Sequence, residues 1–251
     1  MEAGAGGGGE TCQSVGAVVN RDKAIVVMQC AASKARDAGT FRTRDGKPVC
    51  FVAHPEWAPA GDGKHYARPD DDAGDGQSWR EKLEECNRRR DGDNPLGLKQ
   101  ASDLYSNPVY GALRERLGAE RFFILSAGWG LARSDFLLPD YNITFSNNSS
   151  KASKRDWGRD DCLFKDVSML PDDTDAPVLF FGGKSYHGQF AELTKHVQAP
   201  RVIYFTGKNP PGFPGCRLMR FETTTRTNWQ YECADAFLAG ELRLPEECGD
   251  G

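Results

Sequence analysis

Asp140-Tyr141-Asn142 sets a carboxylate and an amide two residues apart, the side-chain types that can hold a water molecule and turn it toward an electrophilic carbon. Around them the sequence offers the parts of a site for a planar, polar ring. Trp129, Tyr141 and Tyr186 can stack, while Gln29, Cys30, Ser33 and Ser126 can meet a ring edge. Lys34, Lys184 and Lys208 can meet phosphates or a developing negative charge. Hydrolysis of an N-glycosidic bond needs little more: a held base, a group that positions water, and an electrostatic setting for an oxocarbenium-like state. On DNA the nucleotide would have to be flipped out of the stack. No Ser-His-Asp triad is legible, because Ser126 and Ser185 lack the GxSxG elbow. His187 reads as a helix cap or core residue, and Cys30 as a small buried residue at a strand end. Asp70-Asp71-Asp72 has donors for a metal, yet adjacent carboxylates usually make a solvated turn, so no metal or other cofactor is expected.

These residues need a scaffold that brings distant loops together. Ala24–Met28, Phe122–Leu125, Pro177–Phe181 and Arg201–Phe205 are short apolar runs of the kind that form strands buried in a parallel sheet, and Arg217–Phe221 is a fifth candidate. Helical patterns separate them: Gln77–Arg90 with Trp79, Leu83 and Cys86 on one face, Asn94–Tyr105, Val109–Leu117 closed by Gly118, Gly188–Val197, and a last helix from Thr227. The alternation predicts an α/β fold, a three-layer sandwich around a central, mostly parallel sheet of four to five strands. Right-handed crossovers then set the loops after each strand along one rim, where ligands bind in open α/β sheets.

With 251 residues the chain suits one domain, read here as residues 23–243 with an insertion over about 36–76. The insertion contains an expected hairpin at Pro48–Ala53. Residues 1–22 read as a disordered leader without the regions of a signal peptide, and 244–251 as a flexible tail. No apolar run is long enough for a membrane helix, and the scattered cysteines read as reduced thiols, so a cytoplasmic protein is expected. The net charge of −4 opposes non-specific nucleic-acid binding but permits a local basic cleft. Such a cleft would use Lys151, Lys154 and Arg155 of a Ser/Asn-rich loop, with Lys34, Lys184, Lys208 and Asn209, to contact a DNA backbone.

Five segments, CAASK, LYSNPVYGAL, FFILSAGWGLARSDFLLPDYNITFS, FFGGKSYHGQF and TNWQYECA, together resemble proteins of the uracil-DNA-glycosylase-like superfamily. Within it the chain is most similar to anti-phage DNA glycosylases that excise glucosylated hydroxymethylcytosine. It is also similar to the glycosylase-like domain of archaeosine synthase. The resemblance implies a uracil-DNA-glycosylase-like fold and an enzyme that leaves abasic sites in double-stranded phage DNA carrying modified bases, with no obligate protein partner. It implies Asn142 and Asp140 as catalytic residues, with Asn142 standing where relatives carry aspartate. The residues alone leave two other classes open: a hydrolase or transferase of free nucleotides or nucleosides, and a non-catalytic DNA-binding stress protein.

Overall fold

Ile25–Gln29 forms β1, buried at every position before Gln29 because its side chains are β-branched or apolar. The computed structural model describes residues 21–89, 94–210, 212–225 and 227–245. Most of the expected leader, the end of the expected tail, Arg90 and Pro211 lie outside the described residues. After β1 the insertion is ordered. Val49–Val52 (β2) and His65–Ala67 (β3) pair in parallel. The hairpin expected over Pro48–Ala53 is instead one strand. The chain reverses before it, where the Val49 N–H donates to the Phe41 carbonyl and the Thr43 N–H to that of Lys47.

Trp79–Arg89 is α1, started by a capping box. In it the Ser78 N–H donates to the Glu81 carboxylate at 2.7 Å and the Glu81 N–H donates back to the Ser78 hydroxyl at 3.2 Å. Trp79 and Leu83 are buried as the helical period requires. Lys99–Gln100 (β4) and Ala101–Leu104 (α2) replace most of the helix expected from Asn94. The reason is local: the Asn94 amide bonds both the N–H and the carbonyl of Leu98, which closes a turn instead of a helix. Val109–Leu117 (α3) ends as expected at Gly118, whose φ of 73° favours glycine.

Phe122–Ser126 (β5) is buried throughout, and a tight turn at 127–129 returns the chain as Gly130–Arg133 (β6), antiparallel to β5. No strand is among the expected elements at 130–133. Leu137–Leu138 (β7) pairs with β4, and Tyr141–Asn142 (β8) joins β2. Val178–Phe181 (β9), His187–Leu193 (α4), Arg201–Phe205 (β10), Cys216–Arg220 (β11) and Trp229–Ala239 (α5) complete the described elements. The main sheet has six strands in the order β11-β10-β9-β1-β5-β6, five parallel and the last antiparallel. Because β1, β5, β9 and β10 are buried on both faces, a layer must cover each side, which is compatible with a three-layer α/β fold. No described helix is long and apolar enough to cross a membrane.

The β5–β6 turn is buried, so its carbonyls need partners. Two arginines supply them. Arg155 donates to the Ala127 carbonyl at 2.7 Å, while Arg80 donates to those of Gly128 at 3.1 Å and Trp129 at 3.2 Å. Arg80 is turned inward and forked onto Asp70 at 2.7 and 3.0 Å. Trp129 lies under the Arg80 guanidinium and edge-on to Phe51, with ring centroids 5.1 Å apart. It thereby joins the inserted sheet to the main one. Trp129→Ala should cost about 3–5 kcal/mol of stability, measured by denaturant unfolding. A change under ~1 kcal/mol would show that the ring is not part of the core.

Candidate functional site

Strand order reverses between β1 and β9, so the loops leaving their carboxyl ends diverge. Between those loops and the segment after β8 lies a crevice of about 310 Å³. Cys30, Ala31, Ala32 and Lys34 line it from the β1 side, Tyr186 from the β9 side, and Asn142, Ile143 and Thr144 from β8 onward. Ser146, Asn148, Ser149, Ser150 and Ser153 complete a wall of hydroxyls and amides. The sequence points to part of this wall as a Ser/Asn-rich loop touching a DNA backbone, with its cations and not its serines as the site residues. The signal was the density of Ser and Asn directly after a strand.

Local hydrogen bonds fix the walls. The Gly183 N–H donates to Gln29 Oε1 at 2.6 Å, tying the β9 loop to β1, and the Tyr110 hydroxyl donates to the Gln29 carbonyl at 2.7 Å. Across the serine wall, the Thr144 N–H donates to the Ser153 carbonyl at 3.0 Å, and the Arg155 N–H to that of Thr144 at 2.8 Å. The Ser150 and Ser153 hydroxyls bond each other at 2.8 Å.

Behind the crevice runs a buried chain of hydroxyls. Ser126 Oγ accepts from the N–H groups of Gly128 and Trp129 and donates to the Tyr141 hydroxyl at 3.0 Å, which bonds Tyr105 at 2.7 Å. The Tyr186 hydroxyl lies 3.2 Å from Cys30 Sγ. Burial pushes the Tyr105, Tyr141 and Tyr186 hydroxyls well above the ordinary tyrosine range. They are therefore neutral at physiological pH. Lys34 is half-buried, its Nζ 4.2 Å from the centre of the Tyr141 ring. Burial lowers its pKa below the ordinary lysine value, opposed by the neighbouring Cys30 and Asp140.

The expected site residues separate accordingly. Asn142, Lys34, Cys30 and Tyr186 share the crevice. Asp140 is exposed, close enough for its charge to act on Lys34, and its N–H is held by the Gly39 carbonyl at 2.8 Å. Ser33 is exposed beside the crevice. Trp129, expected to be exposed and to hold a base, is a buried core residue instead. Tyr141 is also withdrawn, its ring buried and its hydroxyl shared with Ser126 and Tyr105, and Ser126 has no exposed surface. Gln29 spends its amide oxygen on Gly183. Tyr186 reaches the crevice, but its ring packs edge-on to Phe145 at 4.9 Å.

The expected DNA-contacting cations divide too. Arg155 is buried, forked onto Asp166 at 2.8 and 3.1 Å, with Phe164 3.9 Å from its guanidinium carbon, so it is a core residue. Lys154 pairs with Asp156 at 2.8 Å. Lys151 and Lys208 are exposed, and Lys184 and Asn209 line a second hollow of about 140 Å³ with His187 and Trp229. His187 is buried with Nε2 3.0 Å from the Gly182 carbonyl, the core role expected of it, and burial lowers its pKa. A larger groove of about 650 Å³ runs along α4, but its arginines are engaged, Arg155 by Asp166 and Arg201 by the Ala191 carbonyl. The acidic triplet is likewise engaged. Asp70 binds Arg80, Asp71 accepts the Arg68 N–H, and Asp72 accepts those of Gly74 and Gly76.

The crevice can thus hold a polar molecule by many neutral hydrogen bonds, with the Asn142 and Asn148 amides, the Lys34 amine and the nearby Asp140 carboxylate as its reactive equipment. Comparison with protein-family models and with curated proteins finds no match to this chain. Arg155→Met leaves the Asp166 carboxylate buried and unpaired, and should cost about 3–5 kcal/mol of stability. The decisive measurement pairs denaturant unfolding with the salt dependence of DNA binding. An unchanged stability with a reduced salt slope would return Arg155 to the DNA surface.

Proposed function

We propose that the protein is a DNA glycosylase of the uracil-DNA-glycosylase-like fold, acting in anti-phage defence. It would hydrolyse the N-glycosidic bond of a bulky modified pyrimidine, such as glucosyl-hydroxymethylcytosine, in double-stranded DNA. The observation that carries this reading is the position of Asn142 in a hydroxyl-lined crevice at the carboxyl ends of β1 and β9. In it Asn142 orients the attacking water, and the Asp140 carboxylate stabilises positive charge developing on the sugar. Hydroxyls and amides from Thr144 to Ser153 are the donors and acceptors that a sugar attached to the base would use. The parallel order of β5, β1, β9 and β10, with the crevice at its reversal, agrees with the proposed fold.

One observation favours a second reading, a hydrolase or transferase of free nucleosides or nucleotides. Arg155 is buried and Lys154 paired, which leaves a thinner cationic rim than duplex binding usually employs.

Duplexes with plain, hydroxymethylated and glucosylated cytosine separate the two when scored for alkali-labile abasic sites beside a nucleoside-cleavage assay. Glucosylated duplex should be cut, and Asn142→Ala or Asp140→Ala should slow base release on the order of 10²-fold or more. Both side chains are exposed, so the folded structure should survive each change. Absence of abasic sites on every modified duplex would overturn the glycosylase reading, and turnover of free nucleosides alone would establish the second.

A further inference from the structure

Lys34 is the one lysine among the described residues lining the crevice. It is placed there by Tyr105, whose backbone forms an antiparallel bridge with it, and by the ring of Tyr141 beneath its Nζ. The lysines around the rim differ from it: Lys151, Lys184 and Lys208 are exposed, and Lys154 is tied to Asp156. Among the described residues no carboxylate forms an ion pair with Lys34, so no salt bridge has to break before the amine meets a ligand in the crevice.

We infer that the Lys34 amine is a nucleophile that forms a Schiff base with the aldehyde of an abasic sugar and cleaves the strand on its 3′ side, adding a lyase activity to the glycosylase. This rests on the reading above, because a glycosylase leaves that aldehyde in its own crevice. A lysine withdrawn from water is the usual source of such an amine. Burial does lower the pKa of Lys34, against the opposing influence of Cys30 after β1 and Asp140 before β8. Tyr105 and Tyr141, the other titratable groups against it, are held neutral by their own burial. A folded-state pKa below the ordinary lysine value means more free amine at neutral pH than an exposed lysine has.

The step balances without an oxidant or reductant. The Lys34 nitrogen adds to C1′ of the ring-opened sugar and water leaves, giving an iminium. A base takes the C2′ proton, and the Asp140 carboxylate, whose charge acts on the amine, is the candidate. The electron pair of that C–H bond forms the C2′–C3′ double bond, and the C3′–O bond breaks with the 3′ phosphate as leaving group. Water then hydrolyses the imine and restores the amine.

The test uses the full chain and a duplex carrying a preformed abasic site, so it does not depend on base excision. Borohydride is added to reduce any iminium, and the covalent protein–DNA adduct is counted and its peptide mapped by mass spectrometry. The expected result is an adduct on Lys34, lost in Lys34→Ala and in Lys34→Arg, and formed faster as pH rises through neutrality. Mapping on the unaltered protein keeps the test decisive if either variant fails to fold. No adduct, or an adduct on Lys151, Lys184 or Lys208, overturns the inference. Base release without an adduct sinks the lyase alone. An adduct without base release on any modified duplex sinks the glycosylase reading and leaves Lys34 as an aldehyde-reactive amine.

Discussion

Three consecutive backbone carbonyls, those of Ala127, Gly128 and Trp129, are buried in a tight turn, and the rest of the molecule is arranged to satisfy them. Water cannot reach them, and an unpaired buried carbonyl costs roughly 1–3 kcal/mol. Arg80 comes from the helix after the insertion and Arg155 from the loop after β8, and each brings its own carboxylate, Asp70 and Asp166. Each buried guanidinium is therefore neutralised by a carboxylate of its own. The consequence is architectural. The inserted sheet, the β5–β6 hairpin and the 150–166 segment are fastened at one point, with the Lys165 N–H also donated to Asp70 at 2.9 Å. Gly130 belongs to the same constraint, since its φ is 81° and a Cβ there would meet the Val167 carbonyl at 2.4 Å.

That fastening shapes the crevice. With Trp129 and Ser126 committed to the turn, the aromatic and hydroxyl groups behind the site support it and do not contact a ligand. Ser126, Tyr141 and Tyr105 form a closed run of hydrogen bonds that positions β8, and β8 presents Asn142 outward. Alternation along the strand is the direct cause: Tyr141 faces in, so Asn142 must face out. Lys34 then rests on the outer face of the Tyr141 ring. The site is a thin polar layer on an aromatic floor, which favours a ligand recognised by hydrogen bonds at its edges over one gripped between rings.

Much of the scaffold was legible in the residues. β1, β5, β9 and β10 fall on the predicted apolar runs, and α1, α3 and α5 on the predicted helices, because burial on both faces and a 3.6-residue period leave strong local patterns. The loops after β1 and β9 were also identified as parts of the rim, since a parallel sheet sends the loops after its strands to one edge. Helix 94–105 fails where a side chain competes with backbone pairing, as Asn94 does at Leu98, and the Pro48–Ala53 hairpin fails because the chain reverses earlier and β2 pairs in parallel with distant strands. β6 was missed because its partner is the preceding strand across a turn whose stability comes from distant arginines.

The sequence by itself determined an α/β sheet with a polar rim, and it singled out Asn142, Asp140 and Lys34 as residues of that rim. Tertiary structure decided which of the other candidates face outward. Trp129, Tyr141, Ser126 and Arg155 have the right chemistry for a ligand, but each is used inside the protein. The physical reason is that a side chain's type states what it can bond, whereas burial and the nearest unpaired carbonyl, hydroxyl or carboxylate decide what it does bond. Those partners lie far along the chain, as Arg80 does at 49 residues from the Trp129 carbonyl, beyond the reach of any local pattern.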